Sequence, residues 1–207
     1  MRYYPIFLDL QDKKILVIGG GVVAGQKIAG LLEAGACVTV LSPEIISAID
    51  QKVEEKKLKW KKQSYAPGAL SGFFMVFAAT NEPSLNRLIH QEALEKKILC
   101  NAVDQPEECD FIVPARVNKG DLTLAISTGG KVPGLSKLLR QKFEQLLNTE
   151  YEDLLGELSK IRSTFLENNK GELLPQFFKQ KGEELLQALG EKNRNKIGQL
   201  LKDLKLR

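Results

Sequence analysis

The feature that most constrains the fold is an apolar run that ends in consecutive glycines. Residues 14–18 have the β-branched composition of a buried strand, three glycines follow at 19–21, and a helical pattern begins directly after them. A glycine turn between a strand and a helix is the context of a dinucleotide-binding fingerprint. Gly19 permits the tight turn, Gly21 lets the backbone approach a pyrophosphate, and Ala24 takes the third small position, where helix and strand pack closely. The first amides of that helix can then bind the two phosphates.

The alternation of strand and helix continues after this turn. Apolar runs at 37–41 and 73–79 predict buried parallel strands, and residues 98–101 predict another short strand. Residues 58–62 alternate apolar and basic side chains, as an edge strand with one solvated face does. Helices are predicted between the strands. The pattern indicates an α/β fold with a Rossmann-type parallel sheet.

Polar residues at the carboxyl ends of the strands form the predicted cofactor site. Ser42, Pro43 and Glu44 end the second strand, where this fold usually holds the ribose hydroxyls with an acidic residue. No arginine stands there to bind a 2′-phosphate, so the sequence favours NAD over NADP. Glu44 is equally well explained as a first-turn residue of the next helix, stabilised by the helix dipole. Thr80 and Asn101, at the ends of two further strands, are assigned to the same cofactor site.

Asp104 is the candidate general base. It follows the strand at 98–101, so it is predicted at the ligand-binding edge of the sheet. A carboxylate near a nicotinamide can accept the proton that leaves during a dehydrogenation. On composition alone, Glu107 and Asp110 are rivals for that role.

The pattern changes after Pro114. Residues 116–127 predict two strands around a turn, and a second glycine-rich loop at 128–134 opens a helix. The apolar stripe of that helix is either core or a surface that buries against a partner subunit. It comprises Leu135, Leu138, Leu139, Phe143, Leu146 and Leu147.

Three amphipathic helices are predicted from residue 151 onward, with breaks near 168–171 and 190–195. The predicted domains are therefore 1–113 for nucleotide binding, 114–148 for dimerisation and 149–207 for the helical C-terminal part.

Composition narrows the classes of function. A net charge of +4 is modest and favours no nucleic-acid partner, and no apolar run approaches the length of a membrane span. The N-terminus lacks the apolar stretch of a signal peptide, which predicts a cytoplasmic protein. The three cysteines are scattered without metal-ligand spacing, so no metal site is expected. The single histidine, His90, is predicted on a helix surface rather than in a catalytic site.

Four stretches together resemble the precorrin-2 dehydrogenase family, the NAD-dependent part of siroheme synthase. They are residues 4–10, 19–24, 126–133, and 100–104 together with 110–115. The resemblance implies a Rossmann-type domain, a small dimerisation region and a helical C-terminal segment. It also implies a homodimer that oxidises precorrin-2 to sirohydrochlorin, with NAD as the hydride acceptor. Some members of the family also insert iron into the product, for which Asp104 can accept the pyrrole protons.

The resemblance assigns roles to individual residues. Asp104 corresponds to the catalytic aspartate of the family. Ser127 and Thr128 fall in the loop near the tetrapyrrole. The NAD site is lined by Val22, Val23, Pro43 and Glu44.

The proposed substrate is a macrocycle with many carboxylates, which need cationic partners. Arg116, Lys131 and Arg140 are the candidates, although each is also explained as a solvated surface charge. Two other functions fit the same motifs, namely an NAD-sensing regulatory protein and a dehydrogenase of another small anionic substrate. A spectral change of a tetrapyrrole mixed with NAD and the protein distinguishes the first function from these two.

Overall fold

The computed structural model describes residues 2–147 and 149–205. The chain divides after Val113 into two compact units. Across the described residues, every helix is too short or too polar to span a bilayer.

The first unit is built on a parallel sheet of five strands in the order β3-β2-β1-β4-β5. The strand order reverses between β1 and β4, and open α/β sheets bind ligands at the carboxyl ends of the strands beside such a reversal. The predicted Rossmann-type sheet is confirmed, with the basic strand at its edge. The strands are β1 (Lys14–Ile18), β2 (Cys37–Leu41), β3 (Lys59–Lys61), β4 (Met75–Ala78) and β5 (Leu99–Ala102).

Three helices cover the sheet: α1 (Val22–Glu33), α2 (Ser47–Glu54) and α3 (Pro83–Lys96). Side chains of β1 alternate between the two faces, so that Ile15 and Val17 pack with α1 while Leu16 and Ile18 pack with α3. Burial on both faces explains why this strand reads as a continuous apolar run. As predicted, α1 ends at a left-handed glycine, Gly35, whose φ is +73°.

The prediction that His90 lies on the helix surface is wrong. This residue of α3 is only 8% exposed, and its Nδ1 lies 2.5 Å from Oε2 of Glu108. Arg87 donates from Nε to the other carboxylate oxygen at 3.2 Å. The short 3₁₀ turn Pro106–Glu108 lies over α3 and covers the imidazole, which local helix periodicity does not reveal.

The second unit starts with an antiparallel hairpin, β6 (Ala115–Lys119) and β7 (Leu122–Ile126). Helix α4 (Pro133–Leu146) follows, and then α5 (Thr149–Glu167), α6 (Leu173–Gly190) and α7 (Arg194–Lys205). The prediction of three terminal helices is confirmed. Their apolar faces form one core that includes Phe165, Phe177 and Leu204.

The apolar stripe of α4 is not core within this unit. Leu138 is 62% exposed and Leu146 is 54% exposed, and Leu135 and Phe143 are exposed as well. Ser136 is the buried residue of α4 and lies beside Phe143 at the border of the stripe, where Leu139 and Leu147 are half-buried. The stripe is therefore an exposed apolar face.

Candidate functional site

The candidate site begins at the glycine turn after β1. Gly19 has a φ of +119°, and a Cβ there would overlap the carbonyl oxygen of Ala79 at the end of β4. Its amide donates to the carbonyl of Leu41 at 3.0 Å, at the end of β2. Because the chain passes between two strand ends at this point, only glycine fits both the backbone angle and the space.

Gly21 differs from Gly19 in that it faces open space. A Cβ at this position would meet nothing within 4 Å. Gly21 is the N-cap of α1, and no side chain caps the helix. The first helical residues, Val22 and Val23, are exposed, whereas Ala24 is fully buried against the sheet. An open turn with uncapped amides fits a pyrophosphate group, as predicted for this fingerprint.

Gly20 is a structurally constrained position that the motif alone does not distinguish from its neighbours. A Cβ at Gly20 would overlap the carbonyl oxygen of Glu44. The amide of Ile46 donates to the carbonyl of Gly20 at 2.9 Å. The glycine turn and the segment after β2 are thus in direct backbone contact.

The segment after β2 presents Glu44 at the ligand edge. Ser42 is buried and donates from its hydroxyl to the carbonyl of Glu44 at 2.7 Å, while Pro43 and Glu44 are exposed. Trp60 of the edge strand donates from Nε1 to the carbonyl of Ser42 at 2.9 Å. The explanation of Glu44 as a first-turn helical residue is wrong, because α2 begins at Ser47. Ile46 is extended, held there by its bond to the glycine turn.

Thr80 and Asn101 are held by bonds within the protein. The hydroxyl of Thr80 donates to Oδ1 of Asn86 at 2.7 Å, and Asn86 returns a bond from Nδ2 to the Thr80 carbonyl. Asn101 is buried and donates from Nδ2 to the carbonyl of Phe111 at 2.9 Å. Both residues lie at strand ends on the ligand edge, and their assignment to the cofactor site stays a prediction.

The structure separates the three candidate acids. Asp104 follows β5 in a turn, is exposed, and adopts a left-handed φ of +60°. Among the described residues, nothing hydrogen-bonds its carboxylate. Asp110 instead accepts the amide of Cys100 at 2.8 Å and so holds its own segment to β5. Glu107 is exposed in the 3₁₀ turn. Left-handed backbone at a non-glycine residue is unusual and occurs often at functional sites.

The segment that carries Asp104 is fixed at several points. Gln105 is buried and donates from Nε2 to the carbonyl of Pro83 at 3.1 Å, while its Oε1 has no hydrogen-bond partner within the described part of the chain. The Cys109 thiol donates to the carbonyls of Ala102 and Gln105 at 3.1 and 3.3 Å. Burial raises the pKa of Cys109, which keeps the thiol protonated as a donor. Sequence patterns gave no signal for these contacts.

The predicted substrate-binding residues belong to the second unit. In the loop before α4, Ser127 accepts the amide of Gly129 at 3.0 Å, and Thr128 accepts the amide of Val132 at 3.2 Å. Lys131 is exposed in the same loop. Arg140 pairs with Glu144 one helical turn away, at 2.7 Å, and Arg116 is half-buried in β6. The loop thus brings Ser127, Thr128 and Lys131 together, and their roles stay predictions.

Comparisons with known sequence families match both units. Residues 6–115 match the family described as "Putative NAD(P)-binding", and residues 119–146 match "Sirohaem biosynthesis protein central". The chain is 38% identical over 173 residues to "Siroheme synthase" of Photorhabdus laumondii, which is 84% of this chain and 36% of that protein. It is 39% identical over 165 residues to "Siroheme synthase 1" of Cronobacter sakazakii, covering 80% of this chain and 34% of the relative. The chain thus spans about a third of the length of these relatives.

A solved structure shares the fold. The chain described as "SirC, precorrin-2 dehydrogenase" matches with a TM-score of 0.77 over 99% of this chain and 100% of that one. The sequence identity is 24%, so this likeness is one of fold. It confirms the predicted fold class.

Proposed function

The chain belongs to the NAD(P)-binding family that its residues 6–115 match, and from this premise we propose that it is a dehydrogenase of siroheme biosynthesis. It oxidises precorrin-2 to sirohydrochlorin with NAD. The observation that carries the proposal is Asp104, an exposed left-handed acid at the same edge of the sheet as the open glycine turn. The names of the relatives and of the structural neighbour support the choice of substrate.

The first unit offers the groups that NAD needs. The uncapped amides at Gly21 and Val22 bind the pyrophosphate, and Gly21 provides the room for it. The exposed carboxylate of Glu44 accepts hydrogen bonds from the adenosine ribose. A negative charge there repels the 2′-phosphate of NADP, which supports NAD as the cofactor.

The reaction removes a hydride and a proton from the macrocycle. When bound, NAD would supply the hydride acceptor. Asp104 accepts the proton through its carboxylate and, being exposed, passes it to solvent. The contacts of Gln105 and Cys109 hold the backbone of this acid in place, so that its position does not depend on the substrate.

The second unit supplies cations and polar groups for the carboxylates of the substrate. Arg116, Lys131 and Arg140 pair with these carboxylates, and Ser127 and Thr128 contact the macrocycle. Arg140 is already paired with Glu144, but an exposed pair at this spacing stabilises by only about 0.3–0.5 kcal/mol. A bidentate carboxylate of the substrate replaces it readily.

The enzyme is a cytoplasmic homodimer in this proposal. The exposed apolar face of α4, which includes Leu138 and Leu146, is the surface that a second copy covers. Cys37, Cys100 and Cys109 are free thiols, in keeping with a reducing compartment.

An Asp104→Asn variant tests the role of the acid. Asparagine tolerates the left-handed backbone, so the change removes the charge without straining the turn. We expect kcat to fall by about 10²–10⁴-fold, with the Kd for NAD unchanged. Glu107→Gln is the matched control, because it removes another exposed carboxylate from the same segment and should retain activity.

Turnover is followed through the tetrapyrrole spectrum and NADH formation under anaerobic conditions. A kcat for Asp104→Asn within about threefold of the wild type would reject Asp104 as the proton acceptor. NAD binding without any tetrapyrrole turnover by the wild type would instead favour the NAD-sensing function.

A further inference from the structure

Lys27 is the single lysine of α1, and it lies on the side of the helix that faces the Asp104 segment. Val103 and Phe111 pack into the same core cluster as Ala24 and Ile28 of α1. Residues 103–111 therefore lie on the face of the sheet that α1 covers. Lys27 is half-buried between its helix and this segment.

In the described part of the chain the ammonium group of Lys27 forms no ion pair, although the Asp104 carboxylate is in its neighbourhood. Burial lowers its pKa, and the neighbouring Cys109 and Asp104 act in the opposite direction. Within residues 2–147 and 149–205, no carboxylate comes within ion-pair distance of Lys27. A partly desolvated charge without a partner lowers the stability of a fold. The cost is understandable if a ligand supplies the missing anion.

The geometry places this ammonium at the ligand edge. Lys27 lies five residues after Val22, so its Cα is about 7.5 Å along the helix axis from the first helical residue. Side chains of a helix tilt toward its N-terminus, which brings the ammonium back toward the carboxyl ends of the strands. Gly25 of the same helix faces Ile46 and Ile49 on the β2 side of the sheet. Lys27 lies about 160° around the helix from Gly25 and so faces the β5 side, where Asp104 follows the strand, whereas the phosphate site lies at the amides of the turn itself.

We propose that Lys27 binds a carboxylate of the macrocyclic substrate beside Asp104. The inference rests on the proposed function for the identity of the substrate. A carboxylate bound by Lys27 anchors one edge of the macrocycle and directs the carbon that loses its proton toward Asp104. Such a cation contributes to substrate affinity without touching the nucleotide.

Lys27→Met tests this role, because methionine has a stem of similar length without the charge. Its expected effect is a rise of about 10- to 100-fold in the Kd for sirohydrochlorin and in the KM for precorrin-2. The Kd for NAD should stay within about twofold. Lys27→Arg should restore most of the affinity, because it restores the cation.

The matched control is Lys52→Met, which removes a half-buried lysine from α2 and so causes the same change of net charge. It should leave both affinities unchanged. The thermal midpoint of Lys27→Met without ligands should be equal to or higher than that of the wild type, since an unpaired buried charge is lost. A merely structural lysine would show the reverse.

The outcomes separate the competing explanations. Loss of NAD affinity in Lys27→Met with unchanged macrocycle binding would assign the lysine to a cofactor phosphate and overturn the proposal. Unchanged affinity for both ligands would also overturn it. If the wild type binds sirohydrochlorin through Lys27 but does not oxidise precorrin-2, the proposed function fails and the lysine assignment stands. Failure of the wild type to bind sirohydrochlorin would reject both.

Discussion

Two neighbouring glycines should respond in opposite ways to the same substitution. Gly21→Ala adds a methyl group where the protein leaves open space, at a φ of −87° that alanine adopts without strain. Alanine is a poorer N-cap than glycine, while the loss of unfolded-chain entropy stabilises by about 0.4–1 kcal/mol. Because these effects oppose each other, the free energy of unfolding should change by less than about 0.5 kcal/mol.

The cost of Gly21→Ala should appear in cofactor binding instead. The added methyl group stands where the pyrophosphate approaches the backbone, so the charge-assisted bonds from the first amides of α1 lengthen or are lost. Each such bond contributes about 1.5–3 kcal/mol, which predicts a Kd for NAD raised by about 10- to 100-fold. Titration calorimetry with NAD and urea denaturation of the same preparations measure both quantities.

Gly20→Ala is the matched control, and it is expected to lower the free energy of unfolding. Its methyl group would overlap the carbonyl of Glu44, so the turn must shift, at a cost of about 1–3 kcal/mol in the free energy of unfolding. Wild-type affinity of Gly21→Ala for NAD would refute the assignment of this turn as the phosphate site. Equal loss of stability in both variants would refute the distinction between the two glycines.

Three further changes test other parts of the structure. Tyr65 donates to Glu92, and burial raises its pKa, so its contribution to stability is complete below about pH 10 and falls as the pH rises further. Tyr65→Phe should cost about 1–2 kcal/mol in urea denaturation and remove the late component of the alkaline phenol titration. Glu108→Gln should lower the free energy of unfolding by about 1–2 kcal/mol, because the buried His90 loses the carboxylate oxygen that its Nδ1 contacts; an unchanged denaturation midpoint would contradict this. Leu138→Glu should give a folded monomer by light scattering, and a dimer of unchanged stability would exclude α4 as the interface.

Most of the first unit follows from local patterns. Residues 14–18 and 37–41 are apolar because both faces of the sheet bury them, so the strands β1 and β2 have the bounds that composition predicts. The terminal helices follow in the same way from their spacing of leucines and from the breaks near Asn169 and Lys192, which are left-handed. In these elements the local signal and the tertiary fold agree.

The wrong predictions share one cause, which is a contact from a distant segment. His90 is buried because Glu108 reaches over α3, and nothing in the helix itself indicates that partner. Glu44 stays outside α2 because the carbonyl of Gly20 takes the amide of Ile46 and holds it extended. The role proposed for Lys27 likewise depends on a distant segment, the one that carries Asp104. Single-residue propensities carry no information on contacts between distant segments, so only the structure reveals these contacts.

The contact between Gly20 and Glu44 limits how this site can change its choice of nucleotide. The carbonyl of Gly20, the hydroxyl of Ser42 and the indole of Trp60 together immobilise the backbone after β2. A protein with that backbone cannot admit a bulkier adenosine by moving the loop aside. In the proposed cofactor site, a shift of preference toward NADP is therefore expected from exchanging the outward side chains at Pro43 and Glu44, with the turn beneath them left as it is.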